Sequence, residues 1–215
     1  VTGRELWKSD GTEAGTALVR DIRPGVGDSI PTGLTAVNGI LFFSATEGTQ
    51  GTELWKSDGT EGGTVRVKDI CPGSQGSSPQ GFTALGGVLY FSANDGASGA
   101  ELWKSDGTEG GTVRVRDIRS GTAGSAPAFL TVSGGALYFS AADGASGTEL
   151  WKTDGTEAGT VRVKDIRAGT GSSNPADLTA LGDALLFQAT DGTSGRELWR
   201  SDGTEGGTLR VKDIA

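Results

Sequence analysis

Apolar and polar positions alternate in short blocks along this chain, none with the 3.6-residue period of a helix. In residues 79–118, Pro79 precedes Phe82-Thr83-Ala84-Leu85, then Gly86-Gly87, then the nearly apolar run Val88-Leu89-Tyr90-Phe91-Ser92-Ala93. A Gly-Gly pair between two β-type runs predicts a two-residue hairpin with positive φ. The matching turns elsewhere are Asn38-Gly39, Gly134-Gly135 and Gly182-Asp183. A polar loop, Asn94 to Gly99, leads to Glu101-Leu102-Trp103-Lys104-Ser105. The Gly-rich turn Asp106 to Gly111 leads to the alternating run Thr112 to Ile118. These blocks predict four strands, a to d. Strand b is apolar on both faces and should be buried. Strand d sets Val113 and Val115 against Arg114 and Arg116, so one of its faces should meet solvent.

The same blocks return every 48 residues: Glu-Leu-Trp begins at Glu5, Glu53, Glu101, Glu149 and Glu197. A period of that length predicts a repeat architecture. Four antiparallel strands, apolar inside and half exposed outside, are what a propeller blade requires. The fold expected is therefore all-β: a β-propeller with complete blades near 31–70, 79–118, 127–166 and 175–214, spanning residues 1–215 as one unit. Residues 1–22 supply only strands c and d, a half blade. Its missing a-b pair admits an open arc, a four-bladed ring with a spare hairpin, or completion by another chain. Leu18 fills the slot of Arg66, Arg114, Arg162 and Arg210, which suggests that this outer strand is covered.

The repeated motif stands as ELWKSDGT in three copies, ELWKTDGT at 149–156 and ELWRSDGT at 197–204. It resembles the bacterial ELWxxDGT repeat family over the whole chain, and the blade layout is similar to that of kelch repeats. The resemblance implies a propeller-forming repeat of large secreted or surface proteins of bacteria. It implies no catalytic residues.

Composition narrows the functions further. The 38 glycines recur at fixed phases between apolar runs, as turn residues do, so they do not signal disorder. A net charge of −8 opposes nonspecific binding to nucleic acid or anionic membranes. No apolar run approaches the ~20 residues of a membrane span. The chain starts at Val1 without a methionine or signal peptide, which reads as a processed, excised or engineered piece. Cys71, the only cysteine, occupies the slot of Arg23, Arg119 and Arg167 and reads as a tolerated loop substitution. Absence of histidine removes the usual general base, and carboxylates repeated in every copy do not make a catalytic dyad. No enzyme is expected.

Three features carry candidate chemistry. Trp7, Trp55, Trp103, Trp151 and Trp199 would stack on glycans or, the stronger reading, pack between blades and bond through their indole N–H. The turn SDGTEGGT resembles an Asp-box, with Asp58, Asp106, Asp154 and Asp202 capping turn amides. The b-to-c loops pair Asp95 with Glu101, Asp143 with Glu149 and Asp191 with Glu197, hard oxygen ligands that suit calcium. Calcium is the one cofactor this chemistry admits, and none is required. Glu101 is alternatively expected to pair across strands with Arg114 or Arg116. The d-to-a loops vary most between copies, so Asp28, Ser29, Ser77, Ser78, Ser125, Ser173 and Asn174 are candidate ligand contacts. The function expected is a non-enzymatic binding or scaffolding module of an extracellular or cell-surface bacterial protein, with a protein or glycan partner. Alternatives are a structural array that self-associates through the N-terminal half blade, and a calcium-dependent lectin.

Overall fold

The structure is a computed structural model that describes residues 2–214. All regular structure there is β. Strands β1 (Leu6–Lys8) and β2 (Ala17–Arg20) form a two-stranded half sheet. Four four-stranded sheets follow. The first holds β3 (Thr32–Val37), β4 (Ile40–Thr46), β5 (Thr52–Ser57) and β6 (Val65–Lys68). The second holds β7 (Gln80–Leu85), β8 (Val88–Asn94), β9 (Ala100–Ser105) and β10 (Val113–Arg116). The third holds β11 (Ala128–Ser133), β12 (Ala136–Ala142), β13 (Thr148–Thr153) and β14 (Val161–Lys164). The fourth holds β15 (Ala176–Leu181), β16 (Ala184–Thr190), β17 (Arg196–Ser201) and β18 (Leu209–Lys212). Each is an antiparallel meander in chain order, a and b inside, c and d outside.

The hairpins sit where the sequence puts them. Asn38-Gly39, Gly86-Gly87 and Gly134-Gly135 all have two consecutive positive φ angles; at Gly182-Asp183 only the glycine does. Strand b is the most buried element: Leu89, Tyr90, Phe91, Ser92 and Ala93 are all buried. Inner strands stack in the order β3, β7, β11, β15, which makes a β-propeller-like row of sheets.

The cores lie between sheets, not within them. Leu54, Val67 and Ile70 of the first sheet pack against Leu89, Phe91 and Trp103 of the second. The same set recurs between the second and third sheets, with Leu102, Val115 and Ile118 against Leu137, Phe139 and Trp151. Thus each strand c sends its Leu forward to the next sheet and its Trp back to the previous one, as successive positions on a strand must. The tryptophans therefore pack between sheets. Trp199 donates its indole N–H to the Ala189 carbonyl at 3.2 Å, as expected. The indole N–H groups of Trp103 and Trp151 are buried without a protein acceptor, a departure from the sequence expectation.

At the ends of the row these surfaces stay open. Trp7 has no preceding sheet and is 53% exposed, against 7% for Trp103. Leu198 has no following sheet and is 40% exposed, whereas Leu102 is fully buried. Leu18 is half-buried and lies across from Trp7. Its slot needs no arginine, because Arg66, Arg114, Arg162 and Arg210 each pair with an acid of their own sheet's b-to-c loop. The half sheet has no such loop.

Leu102→Ala is expected to cost about 2–5 kcal/mol, since it opens a cavity between two sheets. Leu198→Ala, the same motif position at the open end, should cost less than about 1 kcal/mol. Urea denaturation of both variants measures the difference.

Candidate functional site

Each repeat is organised by the glutamate that opens its ELW motif. Glu101 is fully buried. Its carboxylate accepts hydrogen bonds from the backbone N–H of Ile118 and Arg119 at the end of strand d (both 3.2 Å). It also accepts the Ser125 N–H at 2.8 Å and the Ser125 hydroxyl at 2.6 Å, from the linker to the next sheet. Glu53 binds Ile70, Cys71 and Ser77 in the same way, Glu149 binds Ile166 and Ser173, and Glu5 binds Ile22 and Ser29. One carboxylate thus pins both feet of each d-to-a loop. Burial pushes the carboxyl groups of Glu53, Glu101 and Glu149 above the usual glutamate range, and the serine and backbone donors pull them partly back.

This corrects the expected pairing of Glu101 with Arg114 or Arg116. Arg114 lies opposite Trp103 and Arg116 opposite Leu102, so Glu101 sits beyond the paired stretch of strand d. Arg114 turns instead to Asp95 (3.7 Å) and Asp117 (3.4 Å), and Arg116 reaches the Thr160 carbonyl of the next sheet.

The expected calcium ligands are used separately. Asp95 caps its own loop, accepting N–H bonds from Ala97 and Ser98 at 2.9 and 2.7 Å, and carries Arg114 beside it. Asp143 does the same with Ala145, Ser146 and Arg162, and Asp191 with Thr193, Ser194 and Arg210. These donors lower the aspartate pKa values, Asp191 to about 2. Glu101 and Glu149 meet backbone and serine donors, and Glu197 accepts the Ile214 N–H at 3.1 Å. The two acids of each pair thus have separate structural partners, the aspartate its own loop and an arginine, the glutamate backbone or serine donors. Among the described residues no cluster of three or more acidic or thiol groups has the geometry of a metal site.

The ligand-contact candidates divide. Ser29, Ser77, Ser125 and Ser173 are buried, with their hydroxyls given to Glu5, Glu53, Glu101 and Glu149, so they have no surface to offer a ligand. Asp28 is partly exposed and bonds Arg4 through its N–H and guanidinium. Ser78 and Asn174 are exposed beside these serines, in left-handed conformation (φ 49° and 47°). Between the pinned feet lie the loop tips, 24–28, 72–76, 120–124 and 168–172. Linkers and b-to-c loops share one edge of the row: the Asn94 N–H bonds the Ser77 carbonyl, and Ser78 N–H bonds Thr52.

The SDGT turns work between sheets. Asp106 accepts the N–H and hydroxyl of Thr108, at 2.8 and 2.7 Å, the turn-fixing role expected of it. The turn then receives the preceding sheet: Lys56 donates to the Gly107 carbonyl (2.8 Å) and Lys68 to Thr112 (2.9 Å). The Cys71 thiol is buried and faces Gly96, and burial raises its pKa. One exposed residue has no counterpart among the sequence candidates. Phe129, in inner strand β11, is half exposed at φ 57°, where β3 and β7 carry Gly33 and Gly81. That mismatch of a bulky residue with a glycine slot was a readable signal.

No family model matches the chain, and no curated protein matches it. Solved structures do. A puromycin hydrolase is 17% identical at a TM-score of 0.57, over 94% of this chain and 31% of that one. A prolyl endopeptidase is 15% identical at 0.57, over 94% of this chain and 29% of that one. The computationally designed Ika8 protein is 21% identical at 0.49, over 96% of this chain and 57% of that one. The chain spans less than a third of either enzyme, and the likeness to them is one of fold.

Two outcomes are expected here. A glutamate with a raised folded-state pKa contributes stability below its unfolded value and loses it as pH rises through the folded value. Glu101→Gln should therefore reduce the stability lost as pH rises above about 4.5, read from melting temperature against pH. An unchanged slope would show that this group does not titrate in that window. Phe129→Gly should leave stability within about 1 kcal/mol of the parent, because released left-handed strain offsets the freer unfolded chain.

Proposed function

We propose that this chain is a segment of a β-propeller serving as a non-enzymatic binding scaffold, with its ligand surface on the edge formed by the d-to-a and b-to-c loops. The observation that carries this reading is the pinned loop. A buried Glu fixes both feet of each linker, while the tips change: Pro-Gly-Val-Gly-Asp at 24–28, Pro-Gly-Ser-Gln-Gly at 72–76, Ser-Gly-Thr-Ala-Gly at 120–124 and Ala-Gly-Thr-Gly-Ser at 168–172. A constant frame with variable tips is how a scaffold separates stability from specificity. Val26, at the tip of the first loop, is 86% exposed.

Resemblance to ELWxxDGT repeats supports membership of that family and an extracellular or cell-surface bacterial setting. The partner is then a protein or a glycan. Against an enzyme stand the absence of histidine and the use of each repeated Glu in a structural bond set. The exposed end faces around Trp7 and Leu198 favour a second reading, a structural array that assembles end to end.

A glycan array and a panel of purified surface proteins test the first reading, using the parent chain and a variant whose 72–76 tip is replaced by the 120–124 sequence, which keeps a left-handed glycine at the position of Gly76. Binding should change in profile while the melting temperature stays within a few degrees. A profile indifferent to the exchange removes the loop edge as the ligand surface. Size-exclusion chromatography with light scattering addresses the array: a strict monomer across concentrations counts against it.

A further inference from the structure

The half sheet leaves a notch whose shape is defined by the four complete sheets. In each of those, strand c is bonded on both sides; strand b lies on its inner side, as in Leu41↔Ser57, Phe42↔Lys56 and Phe43↔Trp55. Among the described residues β1 pairs only with β2, so its inner edge has no strand partner there. Beside that edge is a cavity of about 270 Å3, lined mainly by Leu6, Trp7, Val19, Ala36, Leu41 and Gly59. Leu34, whose counterpart Phe82 packs against Gly33 of the preceding sheet, is 55% exposed, whereas Leu178, at the same position in the last sheet, is 9% exposed.

A second observation says what is missing. In each complete junction the SDGT glycine is covered by an aromatic ring from strand b of the preceding sheet. A Cβ on Gly107 would stand 3.1 Å from Phe42 Cζ, and Cβ atoms on Gly155 and Gly203 would strike the hydroxyls of Tyr90 and Tyr138. Gly59 has nothing within 4 Å. Its turn is nevertheless seated normally, because Lys8 donates to the Gly59 carbonyl at 2.8 Å, as Lys56, Lys104 and Lys152 do to Gly107, Gly155 and Gly203. The frame is in register and the ring is absent.

We propose that this notch is a strand-addition site for an inner-type β-hairpin supplied by a polypeptide segment outside these 215 residues. Main-chain bonds to the β1 edge would hold it, as in other β-augmentation sites. Its chemistry follows from the walls: an apolar strand with an aromatic at the Tyr90 position to fill the space over Gly59, and a Phe at the Phe91 position to lie beside Trp7, as Phe91 lies beside Trp103. A tight Gly-containing turn joins it to a second strand that covers Leu34. An intact second copy is not the occupant, because all four of its inner hairpins are already paired to their own strand c. The site is independent of whatever the loop edge binds.

The test uses the full chain and a fluorescein-labelled peptide of residues 79–94, made both linear and backbone-cyclised, so that a poorly ordered peptide is not mistaken for a poor fit. Fluorescence anisotropy should show saturable 1:1 binding, and hydrogen exchange at the β1 amides should slow. A Tyr90→Ala peptide should bind at least tenfold more weakly. The exposed notch residue Ala36, changed in Ala36→Arg, should weaken binding at least tenfold, while Ala180→Arg, at the matching exposed position of the last sheet, should not. Failure of both peptides to bind, or equal binding by the Tyr90→Ala peptide or the Ala36→Arg chain, overturns the proposal. So does self-association of the chain that the peptide does not displace but Ala36→Arg abolishes, since it would assign the notch to a second copy.

Discussion

One buried carboxylate per repeat holds the architecture. Strand d ends, the linker begins and the next sheet starts within reach of a single Glu, and at Glu53 and Glu101 four donors converge on it. An ionised carboxylate suits this place because it accepts only, with about four lone-pair sites on two oxygens. Gln would turn an NH2 group toward donors. Burying the charge is unfavourable alone, and the converging N–H and O–H dipoles offset part of that cost. Everything farther out depends on this fixed corner, because it sets where the next inner strand enters.

From that corner the junction follows in a fixed order. Leu, Val and Ile of one sheet meet Phe and Trp of the next. Outside this apolar layer, lysine or arginine side chains reach carbonyls of the next SDGT turn. Each sheet therefore packs chiefly on its neighbours, and stability is close to a sum of sheet and junction contributions. The motif is thus three devices in one strand and turn: a corner, a two-faced wedge and a landing for the preceding sheet.

Local pattern made most of the fold legible. The hairpin turns, the apolar strand b and the half sheet need only neighbouring residues to be recognised. The glutamate corner was not legible that way, because Ser125 lies 24 residues beyond Glu101, in a linker. Proximity in sequence pointed instead to Arg114, which the strand register places opposite Trp103. For the serines a usable signal existed. Ser29, Ser77, Ser125 and Ser173 recur at 48-residue spacing inside otherwise variable loops. Sameness within a variable segment marks a structural task, and those four proved buried while Ser78 and Asn174 stayed at the surface.

The Lys-to-turn bond is nearly the same at every junction: Lys8, Lys56, Lys104 and Lys152 each reach a carbonyl 51 residues ahead, at 2.8 Å. Such uniformity leaves the chain with degenerate choices while it folds. A newly formed outer hairpin meets several landings of almost equal quality, and only the short linker between sheets makes the adjacent one the nearest. Errors of one whole repeat would keep these local bonds and would have to be undone by unthreading a sheet, a known hazard of repeat chains. The places where the copies differ, Cys71 for arginine, Phe129 for glycine and Leu18 for arginine, are therefore also address labels that tell one repeat from the next.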